Sequence, residues 1–154
     1  MYKRSVAAAR PPRGAVVARG WLCRSIVNGQ QHQHRVLVVD DDEDTRSGIA
    51  ELLRLDGYIV AEAGDGQQAL ECLHEQKRPC LVLLDLQMPR TSGWEFRALQ
   101  ERDREIADVP VVVLSAREGA ELQVKHLGVA GFLAKPLDFD LLIETIQRTC
   151  RLAA

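Results

Sequence analysis

The chain has 154 residues, 46% apolar and 27% charged, which suits one globular domain with a real core and excludes a multidomain enzyme. Its 20 Lys and Arg against 22 Asp and Glu give a formal net charge of -2, no global reason to bind nucleic acid. The balance is uneven, because residues 1–34 hold six basic residues and no acid, leaving residues 35–154 with 14 basic against 22 acidic side chains, a net of -8.

Residues 1–34, which include Lys3, Arg4, Arg10, Arg13, Arg19 and Arg24, mix Pro, Gly, Ala and Arg without sustained periodicity and read as a basic, disordered N-terminal extension. Its arginines and Trp21 are the features that would meet a membrane surface or a polyanion. The apolar run 6–9 is a poor signal peptide, since Arg10, Pro11, Pro12 and Arg13 end it. No stretch approaches the roughly 20 apolar residues of a membrane helix, so no membrane span is expected. Cys23, Cys72, Cys80 and Cys150 form no CxxC pair and match no zinc or disulfide framework. A reducing cytoplasm follows as the expected setting. Cys72, Cys80 and Cys150 fall on apolar faces as small buried thiols without a metal role, and His32 and His34 alone are a weak metal signal.

From residue 35 the pattern changes. Val36, Leu37, Val38 and Val39 form a β-branched apolar run that predicts a buried strand and ends at acids. Asp44 is expected to cap a helix with the stripe Ile49, Leu52 and Leu53 and a stop at Asp56 and Gly57. A second strand over 58–62 precedes a helix over 66–76 with Ala69, Leu70 and Leu73 inward. A third strand over 80–84 ends at Asp85. Ser92 and Glu95 form a capping box for a helix reaching about residue 105 and contributing Phe96 and Leu99. Pro110 opens a fourth strand, 111–114, which ends at Ser115. A short fourth helix with Ala120, Val124 and Leu127 on one side leads through Gly128 and Gly131 to a fifth strand, 132–134, closed by Lys135 and Pro136. Asp138 caps a last helix with Phe139, Leu142, Ile143 and Ile146 at helical spacing.

Five strand–helix units in this length predict an α/β, doubly wound, five-stranded parallel sheet with helices on both faces. Ligands of such sheets gather beyond the carboxyl ends of the strands, where this chain places Asp40, Asp41, Asp42, Asp85, Ser115 and Lys135. Three carboxylates about 4–5 Å apart repel by roughly 3–4 kcal/mol per pair at an effective dielectric near 20 and call for a cation. Hard oxygen donors suit magnesium better than zinc. With such an ion, one carboxylate can attack phosphorus while a lysine and a hydroxyl hold the phosphoryl oxygens. Asp85, alone at its strand end, is the expected nucleophile, and Asp40 and Asp41 hold the metal. Asp42, Glu43 and Asp44 are read mostly as loop and helix-start acids. Each residue also has a plainer reading: the acidic run as a loop and cap, Ser115 as a cap, Lys135 as a solvated charge.

Residues 35 to about 152 resemble the receiver domain of bacterial two-component response regulators. The resemblance rests on Val36 to Asp42, on Leu83 to Pro89 followed by Ser92 and Gly93, on Leu114, Ser115 and Ala116, and on Phe132 to Pro136. It implies a flavodoxin-like receiver domain over 35–154, with strand order 2-1-3-4-5, of the single-domain, chemotaxis-regulator-like kind. Asp85 would accept phosphate from a phosphohistidine. Asp41, Asp85 and the Gln87 backbone carbonyl would coordinate Mg2+ or Mn2+ directly, with Asp40 acting largely through water. Lys135 and Ser115 would hold the phosphoryl oxygens, and Lys135 to Pro136 would be a cis peptide. Ser115 and Phe132 would form the switch, remodelling the surface of the fourth helix, fifth strand and last helix. Thr91 and Ser92 depart mildly from the commonest family pattern, and Gln87 and Arg117 occupy variable positions near the site; these bear on phosphoryl lifetime.

The leading functional expectation is therefore a phosphorylation-dependent signalling switch, not an enzyme beyond self-catalysed phosphoryl acceptance and slow autodephosphorylation. Its expected partners are a sensor histidine kinase or histidine phosphotransfer protein and a downstream protein, with no direct DNA binding. It would be a monomer or a phosphorylation-dependent dimer. The chain ends near the end of its last helix, so no attached output domain is expected, although a receiver excised from a hybrid kinase reads the same way. The competing enzyme reading is a haloacid-dehalogenase-type phosphatase with Asp40 as nucleophile, suggested by Asp40, Asp42 and Thr45; it leaves Asp85, Met88 and Pro89 without purpose. A phosphate-independent adaptor would be expected to lose site residues, and none is lost.

Overall fold

The computed structural model describes residues 34–75, 78–116, 122 and 124–152, the side chains of residues 151 and 152 aside. The basic extension, apart from His34, lies outside the described residues.

Five short strands form one parallel sheet: β1 (Arg35–Val39), β2 (Ile59–Ala63), β3 (Leu81–Asp85), β4 (Val111–Ser115) and β5 (Gly131–Ala134), in the order β2-β1-β3-β4-β5. Among the described residues, the helices α1 (Glu43–Leu55), α2 (Gly66–His74), α3 (Gly93–Arg102) and α4 (Phe139–Leu152) connect or flank them. Strand side chains alternate between two apolar clusters. Leu37, Val39, Val82, Leu84, Val111 and Val113 face Leu73 of α2 and Phe96 of α3. Val36, Val38, Leu81, Leu83, Val112 and Leu114 face Ile49 and Leu53 of α1 and Leu142 and Ile146 of α4. Because both faces are covered, the central strands read as unbroken apolar runs, as buried parallel strands must.

Local chemistry sets the element ends. The N-cap of α1 is Asp42, whose carboxylate accepts from Thr45 N at 2.7 Å, rather than the expected Asp44. Asp44 and Glu43 instead occupy the first turn, where the helix dipole favours negative charge. Leu52, expected inward, is 46% exposed, and Ala50 takes a core position with Ile49 and Leu53. Gly57, at φ 93°, turns the chain out of α1 in a left-handed conformation that a side chain would resist. The expected cap of α4 is present: Asp138 Oδ1 accepts from Leu141 N at 3.1 Å.

The third helix departs most from expectation. Its capping box is formed, with Glu95 N–H donating to Ser92 Oγ and Ser92 N–H donating to the Glu95 carboxylate, but it ends at Arg102. Leu99 is 46% exposed, and Arg97 and Gln100 are buried beside Phe96. The Gln100 amide donates to the carbonyls of Ile106 and Val109, at 3.0 and 2.9 Å. Arg97 donates to the carbonyls of Leu127 and Gly128 and to Gln100 Oε1. Buried loop carbonyls need donors, and these two side chains supply them. Most of the expected fourth helix, residues 117–121 and 123, lies outside the described residues; after it, Val124 is buried and Lys125–Leu127 form a single 3-10 turn. Among the described residues no helix is long and apolar enough to cross a membrane.

Candidate functional site

The carboxyl ends of β1, β3, β4 and β5 present the site. Asp40 follows β1 and is fully buried, Asp85 is the last residue of β3 and is buried, and Asp41 is exposed. One carboxylate oxygen from each of the three lies within 4.8 Å of the others. Crossing over to α1 and to α3 leaves these strand ends open, so the acids converge although Asp85 is 44 residues beyond Asp41 in the sequence.

Each carboxylate is held by backbone. Asp42 N–H donates to Asp40 Oδ1 at 2.9 Å, and Gln87 N–H donates to Asp85 Oδ1 at 3.0 Å. The second oxygen of each receives Lys135, whose ammonium lies 2.7 Å from Asp40 Oδ2 and 3.1 Å from Asp85 Oδ2. Burial by itself would lower the Lys135 pKa, but the hydrogen bond to Asp40 and the charges of Asp85 and Asp40 outweigh it and hold the ammonium above its ordinary range. Asp42, fully exposed, is kept below the usual carboxylate range by the backbone N–H of Thr45. It serves the helix end rather than the cluster.

The Lys135 backbone is held by the end of β4. Its N–H donates to Ser115 O at 2.8 Å, continuing the β4–β5 ladder, and the peptide to Pro136 is cis as expected. Ser115 itself is buried at the end of β4, and Asp85 pairs in register with Leu114, one residue earlier. Phe132 lies in β5 opposite Val113 and packs, partly buried, against the cluster containing Val113 and Val124. The approach of α3 to the site depends on Gly93: a Cβ there would lie 2.6 Å from Asp85 O and 2.7 Å from Leu86 Cα. No side chain fits.

One contributor was not singled out from the sequence. Arg46, in the first turns of α1, donates to Asp40 O at 2.7 Å and pairs with Glu62 at 3.6 Å. Its signal was its position four residues after the cap Asp42, which aims it back at the loop. Gln87, expected to act through its carbonyl, also contributes its N–H.

The donor set is oxygen only. Three carboxylates with one lysine leave a net negative pocket of hard ligands, matching the preference of Mg2+ for one or a few carboxylates plus waters. The spacing within 4.8 Å suits a small ion bound partly through water.

Comparison with known proteins agrees with this geometry. The profile of the response regulator receiver domain matches residues 36–147. The chain is 40% identical over 116 residues to the transcriptional regulatory protein PdtaR of Mycobacterium tuberculosis, covering 73% of this chain and 55% of that protein. It is 31% identical over 114 residues to the polar-differentiation response regulator DivK of Brucella anthropi, covering 73% of this chain and 92% of that protein. The chain thus spans about half the length of several curated relatives and nearly all of another. Among solved structures, the chemotaxis protein CheY4 of Vibrio cholerae superposes with a TM-score of 0.69 at 28% identity, over 76% of this chain and 98% of that one. Strand order, the acids at the strand ends and the match over residues 36–147 agree, and the chain belongs to the response regulator receiver domain family of two-component signalling.

Proposed function

We propose that Asp85 accepts a phosphoryl group from a phosphohistidine on a sensor histidine kinase or histidine phosphotransfer protein, and that the phosphorylated domain signals through protein–protein contact. The observation that carries this reading is the Lys135 ammonium shared by Asp40 and Asp85, at 2.7 and 3.1 Å. A cation already aimed at Asp85 Oδ2 is placed to follow negative charge onto an incoming phosphoryl group.

Asp40, Asp41, Asp85 and the Gln87 backbone carbonyl would hold Mg2+ or Mn2+, Asp40 largely through water. When bound, the ion supplies screening of the carboxylates and draws charge from the phosphoryl oxygens. A carboxylate oxygen of Asp85 forms the new bond to phosphorus as the phosphorus–nitrogen bond of the donor breaks, and the departing imidazole takes up a proton. Lys135 pairs with one phosphoryl oxygen and the Ser115 hydroxyl with another. Ser115 moves toward the phosphoryl group, and Phe132 occupies the space it leaves. The altered surface of β5, α4 and the expected fourth helix then meets the downstream protein. The domain acts as a cytoplasmic switch, turning itself off by slow autodephosphorylation, and binds no DNA itself.

The phosphatase reading asks Asp40 to be the nucleophile. Asp40 and Asp85 are held alike, each by one backbone N–H and by Lys135, but Asp40 has no exposed surface whereas Asp85 keeps 7%, so Asp85 is the one of the two that a phosphoryl donor can reach. The test is intact mass after incubation with acetyl phosphate and Mg2+. One added phosphoryl group on the native chain and none on Asp85→Asn is the expected result; no gain on the native chain, or equal gain on the variant, overturns the assignment.

A further inference from the structure

At the opposite pole of the sheet from the acids, the fold gathers a second cluster of ligand-type side chains. His34 immediately precedes β1, Cys80 immediately precedes β3, and Cys150 lies near the end of α4. A ring nitrogen of His34 and the sulfurs of Cys80 and Cys150 all lie within 4.8 Å of one another. Strands of five residues rising about 3.3 Å each separate this cluster from Asp40 and Asp85 by roughly 16 Å, so the two cannot share an ion. The residues are 46 and 70 positions apart in the sequence, which hides them from any spacing motif.

The cluster is held by the sheet rather than by flexible chain. Cys80 N–H donates to Arg35 O at 2.8 Å, tying it to β1, and His34 O accepts from Ile59 N at 3.0 Å, tying it to β2. The His34 ring lies tilted against Tyr58, centroids 6.5 Å apart. Cys150 is buried, whereas His34 and Cys80 are half-buried, which leaves the group accessible from one side.

We propose that His34, Cys80 and Cys150 form a site for a thiophilic divalent cation, zinc in particular. Two sulfurs and an imidazole nitrogen are the donors zinc prefers, and neither magnesium nor calcium would choose them. Zinc–sulfur bonds of about 2.3 Å and zinc–nitrogen bonds of about 2.0–2.1 Å place tetrahedral donors somewhat closer together than 4.8 Å, so binding draws the three side chains inward. The Cys150 thiol donates a hydrogen bond to Cys80, which pulls the Cys80 pKa down and pushes that of Cys150 up. Binding releases the protons of both thiols. Three protein ligands leave one position for water or an incoming ligand. The bound ion ties the end of α4 to the starts of β1 and β3.

The experiment uses the full, reduced, metal-free chain in excess Mg2+, so that the acids at the other pole are occupied by a hard ion, with Co2+ as the spectroscopic probe. Thiolate-to-cobalt charge-transfer bands that saturate at one equivalent and vanish on adding Zn2+ are expected. Cys80→Ser and Cys150→Ser should each abolish the bands and the rise in thermal unfolding temperature that Zn2+ produces in the native chain. His34→Ala should weaken Co2+ binding by about tenfold or more. The Cys23→Ser, Cys72→Ser double variant should keep both signals, with circular dichroism verifying that every variant is folded. No thiolate band in the reduced native chain overturns the site, as do bands that survive in folded Cys80→Ser or Cys150→Ser, or are lost in the folded double variant.

Discussion

The Lys135 ammonium lies 2.7 Å from Asp40 Oδ2, linking the residue after β5 to the residue after β1, although two strands separate β5 from β1 in the sheet. Asp40 is fully buried, and Lys135 is the cation that meets its carboxylate. Lys135→Met should destabilise the domain by about 2–4 kcal/mol, because removing one member of a buried pair leaves the other uncompensated. Urea unfolding with and without Mg2+ checks this; the loss should shrink when Mg2+ replaces the missing positive charge.

The same pair sets a pH dependence at the alkaline end. The ordinary Lys value is 10.5, and the folded protein holds Lys135 above it. A group raised on folding gives its full stabilisation below the unfolded value and loses it as pH rises through the folded value. Stability of the native chain should therefore fall above about pH 10.5 by more than that of Lys135→Met. Urea midpoints of the two proteins at about pH 9 and about pH 11 measure the difference, and parallel curves would contradict it.

Gly93 is the point where α3 meets the end of β3. A methyl group there would lie 2.6 Å from Asp85 O and 2.7 Å from Leu86 Cα, backbone atoms that cannot swing aside. Gly93→Ala should cost about 1–3 kcal/mol by forced displacement. It should also slow labelling of Asp85 by acetyl phosphate. Unfolding midpoints and labelling rates identical to those of the native chain would show that the approach relaxes freely.

Arg97 fastens α3 to the turn before β5 by donating to the carbonyls of Leu127 and Gly128, at 2.9 and 3.1 Å. It also donates to Gln100 Oε1 at 3.0 Å. Arg97→Met keeps much of the stem and strands these acceptors, and should cost about 2–3 kcal/mol. Amide hydrogen exchange should quicken around residues 124–130 before it does in β1 or β3.

Ser92→Ala removes the hydroxyl that accepts from Glu95 N at the start of α3. The expected cost is about 1 kcal/mol in urea unfolding, the usual value of an N-cap. Asp85 labelling should persist, which separates this helix-end effect from that of Gly93→Ala.

Much of the site was legible in the chain before folding was considered. Short β-branched runs ending in Asp40, Asp85, Ser115 and Lys135 are readable because a parallel strand buried on both faces must be apolar throughout and must stop where polarity returns. The phase of a helix is harder to read. Leu99 was expected inward, yet it is exposed, and the carbonyls of Leu127, Gly128, Ile106 and Val109 take Arg97 and Gln100 into the core as their donors. The cap of α1 likewise fell to Asp42 rather than Asp44, among neighbouring acids with equal chemical claims.

The sequence by itself determined the number of strands, their parallel direction and which polar groups stand at their ends, since these depend on local apolar periodicity and on the handedness of parallel crossovers, while their order in the sheet was read from the family resemblance. Only the tertiary structure decided that Lys135 is shared by Asp40 and Asp85, that Arg46 holds the Asp40 carbonyl, and that His34, Cys80 and Cys150 meet at the other pole. Those relationships join residues far apart in the chain, and their distances are set by how β1 and β3 become neighbours and how α1 and α4 dock on one face, which no local pattern encodes.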